Sequence, residues 1–158
     1  MDFSSILQDA KTIISEFKSQ NNDGIVIIRW ATATGKSRLS VELSEFFDIE
    51  VISSDSRQIF RKMDIGTDKI SAEIRKKIPH HQIDIVDPDE TYTAGQWKED
   101  ADHQVDEILA RGKFPFIVGG TGLYIDTIYK NFSLPECPPD YALRSELEEK
   151  EKQHPGFL

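Results

Sequence analysis

Ile25-Val26-Ile27-Ile28 is an unbroken β-branched run, and it is followed by a loop that ends in Gly35-Lys36-Ser37. A run of this kind, with no polar alternation, suits a strand covered on both faces of a parallel sheet. Past the loop, Leu39, Leu43, Phe46 and Phe47 recur at helical spacing. The pattern returns further on. Ile49 to Ile52 reads as a second strand, and Phe114 to Val118 as another that runs into Gly119-Gly120-Thr121-Gly122 and a helix through Leu123 and Ile128. Between them, Trp97, Ala101, Val105, Ile108 and Leu109 form a helical stripe closed by Gly112. Ile74 to Ile78 reads as a short basic helix stopped by Pro79, and Ile83 to Val86 as a short strand before Asp87-Pro88. Alternating β and α elements predict an α/β fold with a parallel sheet flanked by helices.

Upstream, Ile6, Ala10, Ile13, Ile14 and Phe17 mark an amphipathic first helix, with Ser4 or Ser5 as its N-cap. The expected organisation is an N-terminal helix over 1–22, a core over 23–132, and a linker with a charged helical segment over 133–158. Pro135, Pro138 and Pro139 mark the linker, and Arg144 to Lys152 the helix.

A length of 158 residues suits one domain with a real core. The formal charge of −9 argues against holding nucleic acid by bulk charge, though a local basic groove stays open. No stretch is apolar for long enough to span a membrane. Cys137 is the single cysteine, which rules out a disulfide framework. The start Met1-Asp2-Phe3-Ser4-Ser5 has neither a secretory nor a transit pattern, so a cytoplasmic setting is expected.

Three loops follow strands and carry the candidate chemistry. Thr34-Gly35-Lys36-Ser37 is the second half of a P-loop. Gly35 lets backbone N–H groups curl around a phosphate, Lys36 adds a point charge, and Ser37 offers a hydroxyl to Mg²⁺. A plain strand-to-helix turn explains the tripeptide equally well. Ser53-Ser54-Asp55-Ser56-Arg57-Gln58 follows the second strand. Asp55 there can bind Mg²⁺ through water or accept a proton, or it can simply cap a turn. Gly119-Gly120-Thr121-Gly122 can approach an anion closely, or form a tight turn. In open α/β sheets the ligand crevice lies at the carboxyl ends of the strands, so all three loops are expected at one crevice. Adjacent His80 and His81 on a strand point to opposite faces and make a poor metal pair. Trp97 is expected in the core.

Taken in order, these blocks resemble the tRNA dimethylallyltransferase (isopentenyl-diphosphate:tRNA transferase) family. The resemblance rests on Thr32-Ala33-Thr34-Gly35-Lys36-Ser37, Ile52 to Phe60, Met63-Asp64-Ile65-Gly66-Thr67, Pro79-His80-His81 with Ile83-Asp84, and Gly112-Lys113 with Val118 to Tyr124. It spans about residues 25–130. It implies a P-loop-type core that transfers a dimethylallyl group from dimethylallyl diphosphate to N6 of an adenosine beside the tRNA anticodon. By position, the diphosphate is expected on Thr32, Ala33, Thr34, Gly35, Lys36 and Ser37, with Mg²⁺ at Ser37. Asp55 is the expected general base and Thr121 a further catalytic residue holding the diphosphate. Asp55, Ser56, Arg57 and Gln58 are expected to face the tRNA anticodon loop.

The chain departs from the family in two places. Trp30-Ala31 stands where the family has Gly-Pro, and the indole is expected to crowd a phosphate or fill the site. The chain also stops before the family's helical insertion is complete. A non-catalytic P-loop remnant that binds a ligand or partner protein is therefore the alternative expectation, with a nucleoside-phosphate kinase behind it. Self-association into a homodimer could cover an unpaired sheet edge.

Overall fold

The computed structural model describes residues 2–21, 23–31, 34–132 and 139–158. In chain order it forms α1 (Phe3–Gln20), β1 (Val26–Arg29), α2 (Lys36–Ser44), β2 (Ile49–Ser53), α3 (Ala72–Lys77), β3 (His80–His81), α4 (Ala94–Ala110), β4 (Phe114–Gly119), α5 (Gly122–Tyr129) and α6 (Tyr141–Gln153). The described strands form one parallel sheet in the order β1-β4-β2-β3. The α/β architecture expected from the alternating pattern is the one observed.

The period of two along a strand divides the core into two layers. Val26, Ile28, Ile49, Val51, Phe114, Phe116 and Val118 share a cluster with residues of α1 and α2. Ile27, Ile52 and Ile117 belong to the opposite cluster, with Trp97, Ala101, Val105 and Ile108 of α4 and Tyr124 of α5. β2 and β4 are buried along their whole length, β2 with Glu50 buried among its apolar residues. β1 is half-buried, because it lies at an edge of the described sheet.

Two expected elements shift. The strand expected at Ile83–Val86 is His80–His81 instead, paired with Val51 and Ile52. Gln82 and Asp84 adopt positive φ (60° and 58°) and end it, leaving Val86 a single bridge to Phe60. The first helix starts at Phe3 with Asp2 at its N-cap, so Ser4 and Ser5 lie inside it. Its packed stripe is Leu7, Ala10, Ile14 and Phe17, while Ile13 is 65% exposed.

α4 shows sequence-encoded ends. Thr93 and Gln96 form a reciprocal capping box, and Gly112 at φ 73° follows the last turn. Its Trp97 is fully buried, stacks on Tyr124 at 4.6 Å and donates Nε1–H to the Ser53 carbonyl at 3.0 Å. Trp97 is thus a core residue that also fixes the last residue of β2. α3 carries an N-cap at Ser71, and its Arg75 pairs with Asp84 at 2.7 Å instead of facing solvent alone. His81 Nε2 meets Glu50 Oε2 at 2.8 Å, whereas His80 Nδ1 meets the Ile78 carbonyl at 2.6 Å. No described helix is long and apolar enough to cross a membrane.

Candidate functional site

The ends of β1, β2 and β4 bring their loops together. Gly35, at φ 88°, is the left-handed N-cap of α2, a conformation that glycine adopts without strain. The Thr34 hydroxyl and the Lys36 ammonium both donate to the Ala31 carbonyl, at 2.7 and 2.6 Å. These two bonds curl the loop back over the start of α2. Thr32 and Ala33, expected on the diphosphate, lie outside the described residues.

The loop after β2 is locked to the loop after β4. Ser54 N–H donates to the Val118 carbonyl, Thr121 N–H to the Ser54 carbonyl at 3.0 Å, and Ser56 N–H to Thr121 Oγ1 at 2.9 Å. The fit is close. A Cβ on Gly119 would sit 2.4 Å from Ser54 Oγ and 2.5 Å from the Ser54 carbonyl group. The Ser54 hydroxyl is fully buried and has no hydrogen-bond partner among the described residues.

Asp55 Oδ1 accepts from the backbone N–H of Arg57 at 2.9 Å and of Gln58 at 3.4 Å. The turn-capping role is therefore real, and it fixes the carboxylate while using one oxygen. Gln58 is held from both ends: Ser53 Oγ donates to its Oε1 at 3.1 Å, and its Nε2 donates to the Thr67 carbonyl at 3.1 Å.

A cleft of about 370 Å³ lies between these loops. Gly35, Lys36, Ser37, Arg38, Asp55, Gln58, Thr67, Asp68, Val118 and Gly119 line it. The expected residues divide around it. Lys36, Ser37, Asp55 and Gln58 reach the cleft. Thr121 and Ser56 bond to each other and are not among the residues that line it. Arg57 faces a neighbouring groove of about 500 Å³ with Lys62, Met63, Ile65 and Thr67. Ile65 there is 97% exposed.

Trp30 does not fill the site. Its side chain is 71% exposed, and it is not among the described non-glycine residues with positive φ. What faces Gly120 is the Trp30 carbonyl, 3.5 Å from where a Cβ would be. The indole is largely solvent-exposed and is not among the residues that line the cleft.

Sequence reasoning missed Arg38 and Asp68, and it had Thr67 only as part of the Met63–Thr67 block. Burial, then the nearby Asp55 charge, raises the Tyr124 hydroxyl above its ordinary value. It stays neutral beside that carboxylate. Arg38 and Asp68 carry no motif of their own, and only the folded loops bring them to the cleft.

A second polar cluster stabilises the segment that carries Gln58's partners. Lys69, whose side chain is 2% exposed, donates to Asp64 at 2.8 Å, Asp84 at 2.7 Å and the Phe60 carbonyl at 2.8 Å. Burial works against its charge, but hydrogen bonds to Asp64 and Asp84 raise it above the usual lysine value. The turn over 63–69 is thereby tied to the segment after β3.

The IPP transferase family model matches residues 58–157, more than half of the chain. The tRNA dimethylallyltransferase of Thermotoga neapolitana is 48% identical over 134 residues, covering 85% of this chain and 44% of that protein. The Dictyoglomus turgidum enzyme of the same name is 46% identical over 133 residues, covering 82% and 41%. Among solved structures, the tRNA isopentenylpyrophosphate transferase of Bacillus halodurans superposes with a TM-score of 0.69 at 42% identity, covering 84% of this chain and 44% of that one. A eukaryotic dimethylallyltransferase solved acting on tRNA gives a TM-score of 0.68 at 34% identity, covering 78% and 32%. The chain spans less than half the length of these relatives. With the family model matched over most of the chain and the parallel-sheet core shared with solved relatives, this chain belongs to the IPP transferase family.

Proposed function

We propose that the cleft binds the diphosphate of dimethylallyl diphosphate and supports transfer of its prenyl group to N6 of an adenosine in a tRNA anticodon loop. One observation carries this reading. The Ser56–Thr121 bond joins the loop bearing Asp55 to the end of β4, so that a carboxylate, Lys36 and Ser37 line one cleft in a chain of this family.

The chain's residues divide the work. Lys36 exchanges the Ala31 carbonyl for diphosphate oxygens, and the α2 N-terminus adds its free N–H groups. The amine nitrogen attacks the allylic carbon, and the carbon–oxygen bond to diphosphate breaks with its electron pair on the leaving group. Asp55 takes the amine proton. Its Oδ1 is held by two backbone N–H groups, which leaves Oδ2 as the acceptor.

The donors fit Mg²⁺: the Ser37 hydroxyl and a carboxylate reach one cleft, and a hard cation takes such oxygens together with substrate phosphates. When bound, the ion supplies charge neutralisation on the leaving diphosphate. Ser37 would hold it.

The test is a nucleoside digest of tRNA incubated with the full chain, Mg²⁺ and saturating dimethylallyl diphosphate. Prenylated adenosine, lost in Asp55→Asn, supports the reading. Saturable donor binding with no product supports the alternative, a domain that binds without turnover.

A further inference from the structure

We propose that Arg38 is a second cationic contact for the diphosphate, and that Phe3 of α1 is the positioning residue that holds it at the cleft. This inference rests on the diphosphate reading above.

Charge balance at the cleft motivates it. The ionised side chains that line it are Lys36 and Arg38 on one side, Asp55 and Asp68 on the other. Without Arg38 the lining would be net negative, in a chain already at −9. A diphosphate carries several negative charges, and neighbouring carboxylates oppose its entry. Arg38 brings the lining back to neutral, next to the hydroxyl of Ser37.

Its geometry suits the task. The Arg38 guanidinium carbon lies 4.1 Å from the centroid of the Phe3 ring. Stacking on a ring face constrains the planar ion and leaves its N–H edge free to meet phosphate oxygens in pairs. Its carboxylate partner among the described residues, Glu42, is at 3.9 Å and both side chains are exposed, so that pair is weak and readily exchanged.

Phe3 is there because of how α1 packs. Leu7, Ala10, Ile14 and Phe17 join the cluster that contains Leu39, Val41 and Leu43 of α2. Lys11 sits 3.4 Å over the Phe46 ring just past the far end of α2. These contacts lay α1 along α2 and deliver its first residue to the start of α2, where the phosphate loop ends. The apolar stripe thus has a consequence for the site as well as for the core.

The experiment is calorimetric titration of inorganic pyrophosphate with Mg²⁺ into the full chain. The variants are Arg38→Gln, Arg38→Lys, Phe3→Ala, Phe3→Ala with Arg38→Gln, and Lys36→Ala, each with a melting curve. Arg38→Gln should weaken binding about tenfold, the scale of one charge-assisted hydrogen-bond pair. Arg38→Lys should recover only part of that. Phe3→Ala should weaken binding about two- to fivefold. The double variant should bind no more weakly than Arg38→Gln alone, because Phe3 acts through Arg38; a purely structural role would not produce that non-additivity. If Lys36→Ala weakens binding and Arg38→Gln does not, the inference fails while the diphosphate reading stands. If the two single effects add in the double variant, the positioning role of Phe3 fails. If the unaltered chain does not bind pyrophosphate, or Lys36→Ala leaves its binding unchanged, the diphosphate reading fails and takes the inference with it.

Discussion

Thr121 Oγ1 accepts the backbone N–H of Ser56 at 2.9 Å, across a separation of 65 residues. The loop after β4 thereby fixes the loop that carries Asp55. Replacing Thr121 by Ala removes the acceptor and leaves a part-buried N–H with no partner. The expected cost is about 1 kcal/mol in chemical denaturation. Thr121→Ser keeps the oxygen and should recover most of it. Pyrophosphate affinity should follow the same order. Equal stability in the two variants would show that this bond does not constrain the loop.

Gly119 tests the closeness of the same two loops. A Cβ there would enter the Ser54 backbone and hydroxyl, and rigid backbone cannot yield as a flexible side chain would. Gly119→Ala should destabilise the fold by about 2–3 kcal/mol. Gly66→Ala is the matched control, since nothing lies within 4 Å of its Cβ and its φ is ordinary. It should stay within about 0.5 kcal/mol of the unaltered chain. Similar losses in both would mean that the Ser54 contact is not what demands glycine.

β1, β2 and β4 were legible because each is a mostly apolar stretch bounded by glycine or polar loops, whereas β3, the His80–His81 pair, has no such run. The three site loops were legible for a related reason: each follows such a run. What was hidden depends on partners far away in sequence. Nothing local in Ile83-Asp84-Ile85-Val86 reveals that Asp84 takes a positive φ while it binds Lys69 and Arg75. Nothing around Gln58 says that its amide spans from Ser53 to Thr67. Arg38 reads as one more helix charge until the fold places it between Phe3 and the cleft. The first helix shows the limit of periodicity. Ile6 and Ile13 fit a helical stripe, but the face that packs is one residue over.

Glu50 gives the fold a defined acid limb. It is 4% exposed, and His81 and Arg111 bond to one carboxylate oxygen while Lys113 pairs with the other. Burial pushes its carboxyl up, but hydrogen bonds from Arg111, His81 and Lys113 outweigh that and lower it to about 2 from an ordinary 4.5. In this interval the unfolded chain binds the proton more tightly than the folded one. The stabilisation is therefore complete above pH 4.5 and is lost as pH falls toward 2. Its size is about 3 kcal/mol at most. Glu50→Gln should lower stability at neutral pH and flatten the stability profile across that interval. A variant whose acid limb has the same slope as the parent's would contradict this assignment.

Trp30 is the position where sequence and structure disagree most sharply, and it yields the last prediction. An indole in place of the family's glycine looks like a plug. In the fold the side chain is 71% exposed, and the loop's inward contacts are made by backbone. The Trp30 carbonyl faces Gly120, and the Ala31 carbonyl receives Thr34 and Lys36. Removing an exposed ring leaves those carbonyls where they are. Trp30→Ala should therefore change pyrophosphate affinity less than about threefold, and stability by less than about 1 kcal/mol. Lys36→Ala, measured alongside, should weaken binding far more, because the proposed diphosphate reading gives that charge to the anion. A large gain in affinity on removing the indole would show that the ring obstructs the cleft.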